Sequence, residues 1–135
     1  MVAPLLFSPS LFDVIVANEN VSNTLFSLGA AISGGFGNLC EGYLGDAATG
    51  LYKPAKVARF DARNPRGVNP AGIILAAAKM LEYSFDKSLA KTAVENAVEE
   101  VISQNFVTPD MKNGRDETQK VISTEEFTDE VIKRL

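Results

Sequence analysis

The segment "PAGIILAAAKMLEYSF", residues 70–85, limits most strongly what this chain can fold into. It predicts a helix with apolar residues on nearly all sides, with Asn69 as its N-cap and Pro70 at its first position. Such a helix is normally buried against a sheet or against a second subunit. The fold must therefore place protein on more than one side of this helix.

Few strands are available to cover it. The run "FDVIVA", residues 12–17, is apolar and β-branched, and it predicts a buried strand of the parallel type. Residues 37–50 are rich in Gly and Ala and favour a loop, and "GLYKPA" (50–55) is at most a short strand. We therefore expect another polypeptide to complete the sheet or to cover the apolar helix.

The other segments predict helices. Residues 18–36 carry Asn and Ser as possible caps, with a helix that ends at Gly34-Gly35. "KSLAKTAVENAVEEVISQ" (87–104) is amphipathic, with Lys91, Glu95 and Glu99 on a face that we expect to meet water. A polar connecting segment at about 107–122 leads to a C-terminal helix at about 124–135, where Ser123 and Glu126 have capping-box spacing. The prediction is one α/β domain over residues 1–135, with few strands and at least four helices.

Composition excludes several classes of protein. The chain has 135 residues, of which 46% are hydrophobic and 22% charged, as in an ordinary globular protein. The net charge is −4 and the 13 basic residues form no long stripe, so we expect no nucleic-acid partner. The apolar N-terminus is interrupted by two prolines and reads as neither a targeting signal nor a membrane span.

The chemistry open to this sequence is narrow. It contains no histidine, which removes the commonest general base and every Ser-His-Asp or Cys-His arrangement. Its single cysteine, Cys40, cannot form an intramolecular disulfide or hold zinc alone, and it is interpreted as a small apolar filler. Catalysis would have to rest on carboxylates, Lys or Tyr.

Several stretches together resemble a known family. They are "SPSLFDVIVANENVSNTLFSLGAAISGGFG", "LYKPA", "NPAGIILAAAKMLEYSF" and "ISTEEFTDEVIKRL", and they run from about Pro9 to Leu135. The chain resembles the C-terminal part of the β-decarboxylating dehydrogenases, and most closely the NAD-dependent isocitrate dehydrogenase subunits among the isocitrate and isopropylmalate enzymes. The resemblance implies part of the large domain of that fold, without the preceding region that supplies substrate-binding arginines and the catalytic tyrosine and lysine.

The resemblance also identifies positions that differ from the family. In the family pattern N-L-F/Y-G-D-I-L-S-D-L, two aspartates four residues apart on one helix face hold a divalent metal. The aligned positions here are Asn23 and Ser27, and Glu19 is the only acid nearby. We therefore expect no metal site, no catalytic residue and no bound cofactor.

The cofactor loop of the family, F-E-P-V-H-G-S-A-P-D-I-A-G-K-G-x-A-N-P, is altered in the same way. Here it reads "YKPAKVARFDARNPRGVNP", in which Lys53 replaces Glu, Lys56 replaces His and Val57 replaces Gly. A β-branched residue in place of that glycine should block the approach of backbone to a ligand. Pro54, Asp61, Asn69 and Pro70 are retained, and turn and cap roles explain Asn69 and the prolines.

This loop also gains a cluster of basic residues, namely Lys53, Lys56, Arg59, Arg63 and Arg66. The cluster is compatible with a solvated loop, with a docking surface for an acidic protein or an anionic lipid headgroup, and with a site for a phosphate-bearing ligand. Protein docking is favoured, because the metal and glycine positions of the family are both lost.

Three hypotheses about function follow. The first is a catalytically inactive protein, hence not an enzyme, that serves as a structural or accessory subunit of a larger assembly, in the mitochondrial matrix according to the resemblance. The second is a regulatory or split-half subunit of an NAD-dependent isocitrate dehydrogenase that retains nucleotide binding. The third is that the sequence is a piece of a longer dehydrogenase-like chain.

Overall fold

The computed structural model describes residues 2–46, 49–55, 67–112, 114 and 116–135. Those residues form five α-helices and four short strands, which confirms an α/β fold with few strands and at least four helices. The elements in chain order are α1 (Val2–Phe7), α2 (Glu19–Ile32), β1 (Cys40–Leu44), β2 (Gly50–Pro54), α3 (Ala71–Tyr83), α4 (Ser88–Ser103), β3 (Phe106–Val107), β4 (Lys120–Val121) and α5 (Thr124–Ile132). Two short 3-10 helices occupy Pro9–Leu11 and Phe36–Asn38.

Helix α3 lies between the β1–β2 sheet and α4, as its apolar surface requires. The helix begins at Ala71, one residue later than predicted, and the Asn69 side chain accepts a hydrogen bond from the Ala71 amide at 2.9 Å. A Cβ atom on Gly72 would lie 2.7 Å from the carbonyl oxygen of Leu39. Only glycine at this position lets α3 approach the chain that enters β1 so closely.

Strands β1 and β2 form an antiparallel pair with Cys40 opposite Pro54 and Leu44 opposite Gly50. The prediction of a loop over 37–50 is therefore wrong for β1, while the short strand at 50–54 is confirmed. Glycine weakens a strand when it leaves a gap, but here the ring of Tyr52 packs over Gly42 at 3.6 Å from where a Cβ would lie. Packing of the pair against α3 then outweighs the local preference for a loop.

Residues 12–17 do not form the predicted buried strand. They carry no strand assignment, and Val14 and Val16 are 82% and 90% exposed. A strand requires a neighbouring strand to accept and donate its hydrogen bonds, and the described residues offer this segment only a turn bond from the Phe12 amide to the Pro9 carbonyl oxygen at 3.1 Å. The predicted strand is therefore absent, because the described part of the chain contains no strand beside it.

Helix α2 has the caps that the sequence predicts. The Asn18 side chain accepts a hydrogen bond from the Val21 amide at 3.1 Å, as in a typical N-cap. The helix stops before Gly34 and Gly35, which have φ values of 83° and 124°. These backbone conformations favour glycine, so the predicted helix stop is confirmed.

The main core lies between α3, α4 and α5. Phe127 and Val131 of α5 are almost fully buried against Val98 and Val101 of α4 and Ala71 of α3. The predicted capping box is present, since the Ser123 side chain accepts from the Glu126 amide and the Glu126 carboxylate accepts from the Ser123 amide. A short parallel pair, β3 with β4, joins the end of α4 to the start of α5.

Helices α3 and α4 are also connected by charges. Glu95 lies 2.7 Å from the ammonium of Lys91 and 3.1 Å from that of Lys79, and Glu82 lies 3.4 Å from Lys79. The predicted solvent face of α4 is thus wrong for Lys91 and Glu95, whose side chains are only 20% and 29% exposed. Partial burial alone would raise the pKa of Glu95, but the hydrogen bonds and charges of Lys91 and Lys79 outweigh it and leave that pKa below its usual value.

We expect Gly72→Ala to lower the free energy of unfolding by about 1–3 kcal/mol, because the added methyl group must displace the Leu39 carbonyl or α3. The matched control is Gly29→Ala in α2, where no atom lies within 4 Å of the added methyl group. That control should stabilise the protein by up to about 1 kcal/mol through helix propensity. Urea unfolding followed by circular dichroism measures both changes, and equal effects of the two variants would contradict the proposed close approach.

We expect Glu95→Gln to lower the free energy of unfolding at pH 7 by roughly 0.5–1 kcal/mol, because it removes the charge shared by two lysines. Since the pKa of Glu95 is depressed on folding, this contribution is present above its ordinary pKa of 4.5 and is lost as pH falls through the folded value. The difference between wild type and variant should therefore shrink below pH 4.5. Glu99→Gln, on the exposed face of the same helix, is the control, and a difference that is independent of pH would count against the ion pairs.

Candidate functional site

The described residues form a groove of about 610 Å³. One wall is formed by Leu5 of α1 and by Ile15 and Ala17, which lie in the segment before α2. α2 and β1 complete it, with Asn23 and Phe26 from the helix and Glu41 and Tyr43 from the strand among the lining residues. An apolar groove with a few polar groups at its edge is the usual form of a binding site.

Asn23 and Ser27 lie one turn apart on the exposed side of α2, and Asn23 lines the groove. The Ser27 hydroxyl donates a hydrogen bond to the Asn23 carbonyl oxygen at 2.8 Å. Its proton is therefore directed into the helix, as is typical of serine in helix interiors. The structure thus places both predicted positions on one face of α2, and Asn23 lies at the edge of the groove.

These two side chains do not fit a divalent cation. Mg²⁺ and Mn²⁺ prefer anionic oxygens, whereas Asn23 and Ser27 offer a neutral amide and a hydroxyl that is already engaged. In the described ranges, no three acidic, cysteine or histidine side chains are close enough to hold a metal. The prediction that this chain has no catalytic, cofactor-binding or metal-binding residues stays a prediction.

A polar cluster on the groove side of the β1–β2 pair was not predicted. Glu41 of β1 lies opposite Lys53 of β2, and the Lys53 ammonium is 2.7 Å from the Glu41 carboxylate. The Tyr43 hydroxyl donates to the same carboxylate at 2.8 Å, and the Lys53 ammonium lies 5.3 Å from the centre of the Tyr43 ring. The hydrogen bond that Lys53 donates to the Glu41 carboxylate raises the pKa of Lys53 above its usual value. The alternation of Glu41 and Tyr43 would have indicated this cluster if β1 had been predicted as a strand.

The predicted basic docking surface is only partly visible. Lys53 belongs to the ion pair with Glu41 rather than standing free for a partner. The remaining members of the predicted surface lie outside the described residues, and so do the altered positions of the cofactor loop from 56 to 66. The docking surface therefore stays a prediction.

Asn69 connects three parts of the fold. It is 7% exposed, and its backbone amide donates to the carboxylate of Asp110 at 3.0 Å. Its side-chain amide donates to the side chain of Asn38 at 2.7 Å, while its side-chain oxygen caps α3. These contacts account for Asn69 structurally, in agreement with the role given to it as a helix cap.

Cys40 lies at the start of β1, in a second cavity of about 250 Å³ that also contains Lys79 and Tyr83. Burial raises the pKa of its thiol, which the nearby Lys79 ammonium offsets only in part. A thiol that is held protonated is a poor nucleophile, which favours its interpretation as a filler.

No helix in the described part of the chain is both long and apolar enough to cross a membrane.

Comparison with known proteins identifies the family. The fold is that of an α/β dehydrogenase domain, and the sequence profile of the isocitrate/isopropylmalate dehydrogenase family matches residues 1–131. The chain is 35% identical over 133 residues to 3-isopropylmalate dehydrogenase of Heyndrickxia coagulans, covering 97% of this chain and 35% of the relative. It is also 35% identical to 3-isopropylmalate dehydrogenase of Rhodopirellula baltica, covering 100% of this chain and 37% of the relative.

A solved structure agrees with this result. Isocitrate dehydrogenase from Methylococcus capsulatus matches with a TM-score of 0.81 and 27% identity, over 98% of this chain and 38% of the other. The chain therefore belongs to the isocitrate/isopropylmalate dehydrogenase family, as the resemblance implied. It spans little more than a third of the length of the relatives that it matches.

The comparisons also correct one prediction. We expected a protein that is not an enzyme, but the relatives carry the name of an enzyme, 3-isopropylmalate dehydrogenase. That expectation is wrong. It inferred the role of a whole protein from the substituted positions Asn23 and Ser27 and from the missing region that carries the catalytic residues in the family, although the sequence spans only about a third of its relatives.

We expect the double variant Asn23→Asp/Ser27→Asp to gain Mn²⁺ binding in roughly the millimolar range, because it places two carboxylates on one face of α2. The wild-type chain and Asn23→Asp alone should bind at least about tenfold more weakly. Electron paramagnetic resonance of free Mn²⁺ measures all three. Binding by the wild-type chain as tight as by the double variant would show that these positions do not govern metal affinity.

Proposed function

We propose that this chain supplies the C-terminal part of a dehydrogenase of the isocitrate/isopropylmalate family, in an assembly with a polypeptide that carries the rest of the fold. The observation that carries the proposal is the isolated β1–β2 pair. Within the described residues it is a two-stranded sheet, and α3 covers one of its faces. Two-stranded sheets are marginal in water, so such a pair gains most when further strands extend it.

The open face of this pair supports the same proposal. Leu51 and Tyr43 lie opposite each other on the side away from α3 and are 62% and 55% exposed. Exposed apolar side chains beside an apolar groove are typical of a surface that another polypeptide covers. About two thirds of the length of each relative has no counterpart in this chain, and in this proposal that part is the source of the cover.

The reaction follows from the names of the relatives. We propose dehydrogenation of a hydroxy acid of the isocitrate or 3-isopropylmalate type, with the chemistry divided between two chains. Asn23 and Ser27 do not supply carboxylates for a metal, so the second polypeptide would provide them. In this arrangement the chain forms one wall of the groove and contributes orientation and exclusion of water.

A regulatory or accessory subunit of such an enzyme is the second candidate. The basic residues that follow in the sequence, Lys56, Arg59, Arg63 and Arg66, favour this form, since positive charge suits an acidic partner or a nucleotide. The two candidates differ in whether activity depends on this chain. A mitochondrial matrix location stays a prediction from the resemblance.

The test is to isolate the tagged chain from cells of its source organism and to identify the polypeptides that accompany it by mass spectrometry. We expect a stoichiometric polypeptide that carries the missing part of the dehydrogenase fold. The isolate should reduce NAD⁺ with isocitrate or 3-isopropylmalate as substrate. A folded chain without any dehydrogenase polypeptide would contradict the proposal.

Two variants test whether the partner contacts the β1–β2 pair. Leu51→Ser, on the open face of the β1–β2 pair, should reduce recovery of the partner about tenfold, because it removes buried apolar area from the contact. Leu89→Ser is the control, since Leu89 is 90% exposed at the start of α4, away from the pair. Equal loss with both variants would point to general destabilisation instead of a contact at the pair.

A further inference from the structure

Helix α5 is short and depends on its neighbours for its structure. It has nine residues, of which Phe127 and Val131 are buried. An isolated helix of this length is marginal in water, so α5 stays helical only while these two side chains pack into the core. Its main packing partner is α4. A segment of this kind opens locally at a lower free energy than the core that it covers.

Thr124, at the start of α5, holds the main chain of a distant residue. Its hydroxyl accepts a hydrogen bond from the Val68 amide at 3.1 Å and donates one to the Val68 carbonyl oxygen at 2.6 Å. One side chain of α5 thus engages both polar backbone groups of Val68. The two residues are 56 positions apart in the sequence, so this contact joins α5 to the segment that precedes α3.

Arg134 fastens the other end of α5 to the last turn of α4. Its guanidinium donates to the side-chain oxygen of Gln104 at 2.6 Å and lies 3.3 Å from the Glu100 carboxylate. It also bonds the Glu130 carboxylate of α5 at 2.7 Å and lies 5.8 Å from the centre of the Phe106 ring. The Arg134 side chain is only 14% exposed, so these charge-assisted contacts are partly shielded from water.

From these contacts we infer that residues 123–134, here called the α5 strap, form a conformational device. The strap opens as one unit, with Thr124 and Arg134 as the contacts that keep it closed, and its opening releases the backbone of Val68. Val68 lies in "YKPAKVARFDARNPRGVNP", the stretch that aligns with the cofactor loop of the family. The strap therefore couples the end of α4 to the last residues of that stretch.

Hydrogen exchange of the full chain under native conditions tests the inference. The amides of Phe127, Val131 and Val68 should have protection factors that agree within about threefold, with the same dependence on urea, because one opening exposes all three. The amides of Ala76 and Ala78, which are buried in α3, should be protected at least about tenfold more. Equal protection of α3 and the strap overturns the inference, because the strap would then open only with the whole core.

A substitution at Arg134 gives an independent measurement. Arg134→Ala should raise exchange at Phe127 and at Val68 alike, by about tenfold or more, because the closed strap loses its charged contact with α4. Lys133→Ala is the matched control, since Lys133 pairs with the same Glu130 but is 65% exposed and lies in the same turn of the strap. An equal effect of the two variants, or a rise at Phe127 without one at Val68, overturns the inference.

Variants of Thr124 test the other end of the strap. Thr124→Val keeps the shape of the side chain but loses the hydroxyl, and it should raise exchange at Val68 about tenfold or more. Thr124→Ser keeps the hydroxyl and should leave Val68 within about threefold of wild type. A Val68 amide that Thr124→Val leaves unchanged would show that the strap does not hold this backbone, and would overturn the inference.

Discussion

The close approach of α3 to the chain that enters β1 is the interaction on which the rest of the structure depends. Gly72 sits against the carbonyl oxygen of Leu39, and Asn69 caps the helix while it bonds Asn38 and Asp110. This contact brings the β1–β2 pair to one side of α3, and α4 packs on another. The core formed by α4 and α5 packs against α3, and the contact between Gly72 and the Leu39 carbonyl fixes the position of α3. The same contact positions β1, which forms one wall of the groove.

The helices were predictable because their signals are local. Asn18, Ser123 and Glu126 mark helix starts by side-chain hydrogen bonds within one turn, and Gly34 and Gly35 mark a stop by their backbone conformation. The strands were not predictable in the same way, because a strand is stabilised by residues outside its own segment. β1 looks like a loop until Tyr52 covers Gly42, and residues 12–17 have the sequence of a buried strand but, among the described residues, no neighbouring strand. A prediction from residue pattern alone cannot tell whether those neighbours belong to the same chain.

The candidate functional site was likewise predictable only in part. The positions of Asn23 and Ser27 on one helix face follow from their spacing, and the structure places them one turn apart, with Asn23 at the groove. Glu41, Tyr43 and Lys53 meet only because β1 and β2 pair in one register, so their cluster needed the structure. The expectation of a protein without enzymatic function was wrong for a related reason, since it treated the residues of one third of a fold as if they were the whole active site.

The central claim is that this chain is one part of a dehydrogenase fold that a second polypeptide completes. An electron cryomicroscopy structure of the assembly isolated from its source cells tests this claim most directly. The claim predicts that the β1–β2 pair is hydrogen-bonded to strands of a second polypeptide, with Leu51 covered. A structure in which the pair remains two-stranded, with Leu51 in solvent, would contradict it.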